Sequence, residues 1–110
     1  MGPGKLAAQA GHAYTNTLLT ALLADPRLAL DYESPGAIGT KICLRAKNLE
    51  QLLQAKEQAE AAGFPCQLIT DSGHIMLPHF TGDPIVTALG IGPITKEQAR
   101  PILNKFKLVV

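Results

Sequence analysis

Lys5 opens a helical pattern directly after Gly2-Pro3-Gly4, and that position makes it the first candidate for chemistry. The first turn of a helix presents unpaired backbone N–H groups and the positive end of the macrodipole, both of which attract anions. A cation there costs roughly a few tenths of a kcal/mol. The arrangement suits a bound phosphate or a developing oxyanion; the alternative is a surface lysine reaching into water. Asp71 closes an apolar strand pattern, at the strand end where α/β folds place ligands. A carboxylate there can orient or deprotonate a water, or simply cap the turn that Asp71-Ser72-Gly73 spells. Gln9 and His12 are spaced to share a helix face with each other. His74 lies in a loop context and Thr87 inside a strand pattern, and each has an ordinary packing or loop role as its alternative.

The elements that must position these residues follow from periodicity. From Lys5 to about Leu23, Leu6, Ala7, Ala10, Ala13, Leu18, Leu19 and Leu22 recur at helical spacing until Asp25-Pro26 breaks the pattern. Residues 26–39 read as a polar connection with a helical turn around Leu28-Ala29-Leu30. Thr40–Ala46 reads as a strand. Asn48 and Gln51 form a capping-box-like start to a second helix, with Leu49, Leu52, Leu53, Ala59 and Ala62 as its apolar stripe and Gly63 as its stop. Strands are expected at Pro65–Thr70 and Ile85–Ile91, with a short apolar run Ile75-Met76-Leu77 between them. Thr95 and Gln98 box the start of a last helix that Pro101 should kink or restart, and Lys107–Val110 can add a final strand. This order predicts an α/β fold: a three-layer α/β/α arrangement with a small mixed sheet flanked by helices, in one domain over residues 1–110.

Composition narrows the classes. A net charge of +1 argues against massive non-specific nucleic-acid binding but leaves room for a local basic patch. No apolar run approaches the ~20 residues of a membrane span, and no signal-peptide pattern is present, so a cytoplasmic protein that does not enter the membrane is expected. Cys43 and Cys66 sit in apolar strand patterns without metal spacing and read as reduced core thiols; neither metal nor cofactor is expected. Nucleophile-elbow, Walker, dinucleotide-binding and zinc-protease motifs are absent from the sequence.

Two blocks of the chain resemble a known family. Met1-Gly2-Pro3-Gly4-Lys5-Leu6-Ala7-Ala8-Gln9-Ala10-Gly11-His12-Ala13 is similar to the Met-Gly-x-Gly-Lys-x-Ala-Ala-Gln-x-x-His-Ala signature of the type II peptidyl-tRNA hydrolases. Asp71-Ser72-Gly73, Thr87-Ala88-Leu89-Gly90-Ile91-Gly92-Pro93 and Phe106-Lys107-Leu108 resemble the family's second block in order and spacing. The resemblance implies a metal-free esterase that cleaves peptide from the 3′ end of tRNA. It implies a four-stranded mixed sheet and, as in many of the family, a homodimer. The family's first strand has no counterpart in the expected elements. Carried over by position, Lys5 and Asp71 fall on catalytic residues, and Gln9, His12, His74 and Thr87 on substrate-binding ones. The chain departs from the family where Ile75 and Met76 replace a Thr-Gln pair and where His74 replaces arginine. Those departures keep a second reading in view, a catalytically weakened relative that binds RNA or a protein partner.

Overall fold

The computed structural model describes residues 2–71 and 85–109, with the backbone alone described at 71 and 85–87. His74 and the Ile75-Met76-Leu77 run lie outside these residues. The elements are α1 (Pro3–Ala24), α2 (Pro26–Tyr32), β1 (Leu44–Arg45), α3 (Leu49–Ala61), β2 (Cys66–Asp71), β3 (Ile85–Ile91), α4 (Lys96–Leu103) and β4 (Lys107–Leu108).

Local chemistry sets most of the boundaries. Asp25 ends α1 and caps α2, where its carboxylate accepts from the Leu28 N–H at 3.2 Å. Pro26 then occupies the first turn of α2, where a missing N–H costs nothing, and the expected single turn becomes a seven-residue helix. Asn48 accepts from the Gln51 N–H at 2.8 Å to start α3, and Gly63, at φ +80°, follows its end. Thr95 and Gln98 close a reciprocal capping box at 3.1 and 2.9 Å. α4 continues through Pro101 rather than restarting, because a proline this near the end of a short helix removes only one intrahelical bond.

The strand expected over Thr40–Ala46 is regular only at Leu44–Arg45. Its first half is engaged elsewhere. The Tyr32 hydroxyl donates to the Thr40 carbonyl at 2.6 Å, and the Tyr32 ring lies where a Cβ on Gly39 would be, 2.5 Å from the nearest ring carbon. Lys41 pairs with Glu33, whose carboxylate also accepts from the Gly39 N–H at 3.2 Å. That pairing, chiefly the Lys41 hydrogen bond, holds the Glu33 carboxyl below its usual range.

The α/β layering is as expected. Among the described residues the strands pair in two antiparallel ladders, β1–β4 and β2–β3. A mixed sheet needs a strand running parallel to a neighbour, and the described strands supply only antiparallel partners. The β2–β3 pair lies between two helices. On one side Thr20 of α1 donates to the Gln67 side chain at 3.2 Å. Cys66 points to the opposite face and lies near Glu60 and Lys56 of α3, with burial pushing its thiol pKa up.

Helix α1 meets this ladder through small side chains rather than leucines. Its buried positions are Gln9, Ala13, Thr17 and Ala21, each four residues after the last, while Leu19 and Leu23 are exposed. The reason is Gly90 of β3. A Cβ built there would stand 1.9 Å from the Thr17 Oγ1 and 2.6 Å from the Ala13 carbonyl oxygen, so only a slim helix face fits. On α3 Ala59 of the expected stripe is buried, but Leu49 and Leu53 are exposed and Ala55 is buried in their stead, so the stripe is rotated from the one expected.

Gly90→Ala should destabilise the fold by about 2–3 kcal/mol, since backbone as well as side chain must move. Adding Thr17→Ala should recover part of that loss but not all, because the Ala13 carbonyl stays in place. Chemical denaturation of the single and double variants measures both.

Candidate functional site

Of the residues singled out by type and spacing, Lys5, Gln9, His12, Asp71 and Thr87 fall on α1, β2 and β3, three elements that pack directly against one another. Lys5 is half-buried in the first turn of α1. Gly2 caps that helix with extended backbone (φ −69°, ψ 163°) and no side-chain hydrogen bond, and the first turn holds no acidic residue. The first turn therefore supplies no carboxylate of its own to offset its N–H groups, an electrostatic setting that favours an anion.

Gln9 and His12 separate. Gln9 lies on the stripe facing the β2–β3 ladder and is 9% exposed, whereas His12 stands on the outer side of α1 and is exposed. Three residues advance a helix by 300°, so neighbours at that spacing still diverge by about 60°, and here the edge of the packed face passes between them. The buried amide is held in place; the imidazole is open to solvent.

Asp71 is the last residue of β2 and pairs with Ile85, the first of β3. Thr87 has a distinctive backbone position. The register runs Cys66↔Ile91 through Ile69↔Ala88 and then jumps to Thr70↔Val86, so Thr87 is the extra residue of a β-bulge. Bulges bend a strand and re-aim a position relative to its neighbours, and they gather beside functional sites. The backbone thus places Asp71 and Thr87 at the same end of the β2–β3 ladder, on either side of the Thr70–Val86 pair. No spacing pattern in the sequence announces the bulge, because a strand with one extra residue reads like any other apolar strand.

His74 lies outside the described residues, as do Ile75 and Met76. A shallow groove on the outer side of α3, lined by Leu49, Leu53, Lys56 and Glu57 among others, holds none of the candidate residues. Thr17 was not a candidate, yet its hydroxyl is buried beside Gly90 of β3 and has no hydrogen-bond partner among the described residues.

The family profile described as peptidyl-tRNA hydrolase PTH2 matches residues 1–109. A peptidyl-tRNA hydrolase of Methanocaldococcus jannaschii is 32% identical over 109 residues, covering 99% of this chain and 90% of its own length. One from Haloquadratum walsbyi is 32% identical over 108 residues, covering 98% of this chain and 88% of its own length. One from Thermoplasma acidophilum is 26% identical over 109 residues, covering 99% and 88%. The chain belongs to the peptidyl-tRNA hydrolase PTH2 family.

The contrast between Gln9 and His12 is open to measurement. Gln9→Ala should cost about 1–3 kcal/mol, as expected for truncating a buried amide, and His12→Ala should stay within about 0.5 kcal/mol of the parent. Urea unfolding of the two variants gives the comparison, and it leaves any effect of His12→Ala on activity attributable to direct contact with substrate.

Proposed function

We propose that this protein hydrolyses peptidyl-tRNA, as one domain spanning residues 1–110, in the cytoplasm. The observation that carries the reading is the match to the family over residues 1–109, with relatives named peptidyl-tRNA hydrolase aligned along 99% of the chain. Among the described residues no helix is long and apolar enough to cross a membrane.

In the proposed reaction a water attacks the carbonyl carbon of the ester between the peptide and the 3′-terminal ribose. The acyl–oxygen bond breaks, the peptide leaves as a carboxylate, and the tRNA keeps a free hydroxyl. Lys5, with the N–H groups of the first turn of α1, supplies positive charge for the developing oxyanion or a nearby phosphate. Asp71 orients and deprotonates the water. Gln9, His12, His74 and Thr87 hold the substrate. The support for these roles is the start of α1, with no side-chain cap and no acidic residue in its first turn, and the location of Asp71 and Thr87 at one end of the β2–β3 ladder. A homodimer is the proposed assembly, and Leu19 and Leu23, exposed one turn apart on α1, offer apolar surface for it to bury.

Purified protein should release peptide from N-acetylaminoacyl-tRNA in multiple turnovers. Lys5→Ala and Asp71→Asn should each lower kcat/KM by about 100-fold or more, the usual loss when an oxyanion-stabilising or general-base group is removed. Absence of release at enzyme concentrations equal to the substrate would refute the activity.

A further inference from the structure

The net charge of +1 conceals a strong asymmetry. Two stretches of the chain contain no acidic residue, 34–49 with Lys41, Arg45 and Lys47, and 98–110 with Arg100, Lys105 and Lys107. Together they hold six of its ten lysines and arginines. The fold pairs these two stretches with each other. In the β1–β4 ladder Leu44 faces Leu108 and Arg45 faces Lys107, and the Val109 N–H donates to the Cys43 carbonyl at 3.1 Å to extend the pairing.

Directly opposed residues of an antiparallel pair project from the same face with Cβ atoms about 5 Å apart. Arg45 and Lys107 therefore stand side by side, and Lys47 and Lys105 lie two residues away in sequence, just outside β1 and β4 at the same end of the ladder. All four are exposed, and none makes an ion pair among the described residues. Lys41 differs, being neutralised by Glu33.

Like charges set directly opposite each other destabilise a ladder, and a two-stranded one has little stability to spare. Bound anions would reverse the sign of that interaction. Two opposed cations about 5 Å apart, with two more close in sequence at the same end of the ladder, suit a run of phosphates better than one small ion. A membrane surface fits less well, because the exposed apolar residue of the pair, Leu108, belongs to the opposite face. This face is also tied to the α1 scaffold, since Cys43 at the start of the ladder meets the Tyr14 side chain.

We infer that the Arg45–Lys107 face of the β1–β4 pair is an RNA-contacting surface that binds phosphates of the tRNA, additional to Lys5. The inference rests on the peptidyl-tRNA reading for the identity of the RNA. It assigns Arg45, Lys107, Lys47 and Lys105 to affinity and leaves the chemical step to other residues.

The test is the double variant Arg45→Gln/Lys107→Gln, with deacylated tRNA binding measured across a salt series and hydrolysis measured in parallel. Each lost phosphate contact lowers the slope of log K against log salt by about one, so the slope should fall by about two and binding at low salt should weaken about 10-fold or more. KM for peptidyl-tRNA should rise while kcat holds. The thermal midpoint should be unchanged or higher without RNA, because a repulsive pair has been removed, so weakened binding cannot be read as unfolding. Unchanged affinity and slope in the variant would overturn the inference even if the parent hydrolyses peptidyl-tRNA normally. A parent that binds tRNA with a slope reduced in the variant, yet releases no peptide, would uphold this surface and refute the proposed activity. Binding to phosphatidylserine–phosphatidylcholine vesicles that the double variant loses, with tRNA binding unaffected, would also overturn it.

Discussion

The approach of α1 to β3 at Gly90 sets the geometry on which the rest of the protein depends. There is no space there for even a methyl group beside Thr17 and the Ala13 carbonyl. Dispersion contacts between close-packed atoms are individually small and sum over an interface, so a long helix can seat firmly on two strands without large side chains. Among the described residues, the buried hydrophobic ones reflect this: Ala13, Ala21, Ala29, Ala55, Ala59 and Ile69. A helix held this closely carries its first turn, and with it Lys5, as a rigid extension of the sheet. It also turns the Gln9 amide inward, where a buried polar group must be satisfied or it costs stability.

Electrostatics completes what packing begins. The start of α1 has neither a side-chain cap nor an acidic residue in its first turn, so nothing within that turn offsets the positive end of its dipole. Acidic residues elsewhere are used locally, Glu33 on Lys41 and Glu60 on Lys56. The β1–β4 ladder draws its charge from the acid-free parts of the chain, so a nearly neutral protein presents one distinctly cationic face. For a family whose named activity concerns a polyanion, local distribution of charge matters more than its sum.

Much of the fold was legible because its determinants are local. Asn48, Thr95 with Gln98, Asp25-Pro26 and Gly63 act on the backbone within a few residues of themselves, and the helices begin and end where these residues place them. The family resemblance was carried by two short blocks containing Lys5, Gln9, His12, Asp71 and Thr87, and the whole chain proved to match. The stripes facing the sheet were less legible. Leu19, Leu49 and Leu53 look like core by their periodicity and are exposed, because the tight approach at Gly90 on one side, and a rotated α3 on the other, selects alanines instead. The strand at Thr40–Ala46 was shortened by Tyr32, whose ring over Gly39 and hydroxyl on Thr40 could not be foreseen from alternation alone.

By itself, then, the sequence determined the helices and their caps, the α/β class, the family, and which residues are chemically suited to an anionic ester substrate. Those properties depend on neighbours along the chain, or on motifs short enough to survive as text. Only the tertiary structure decided that Gln9 is buried and His12 is not, that Thr87 is the bulged residue beside the Thr70–Val86 pair, that the strands form two antiparallel ladders, and that Arg45 stands opposite Lys107. Each of these is a matter of register or of helix rotation. A shift of a single residue in a strand, or of some tens of degrees about a helix axis, changes the answer, and that choice is made by distant groups competing for the same space.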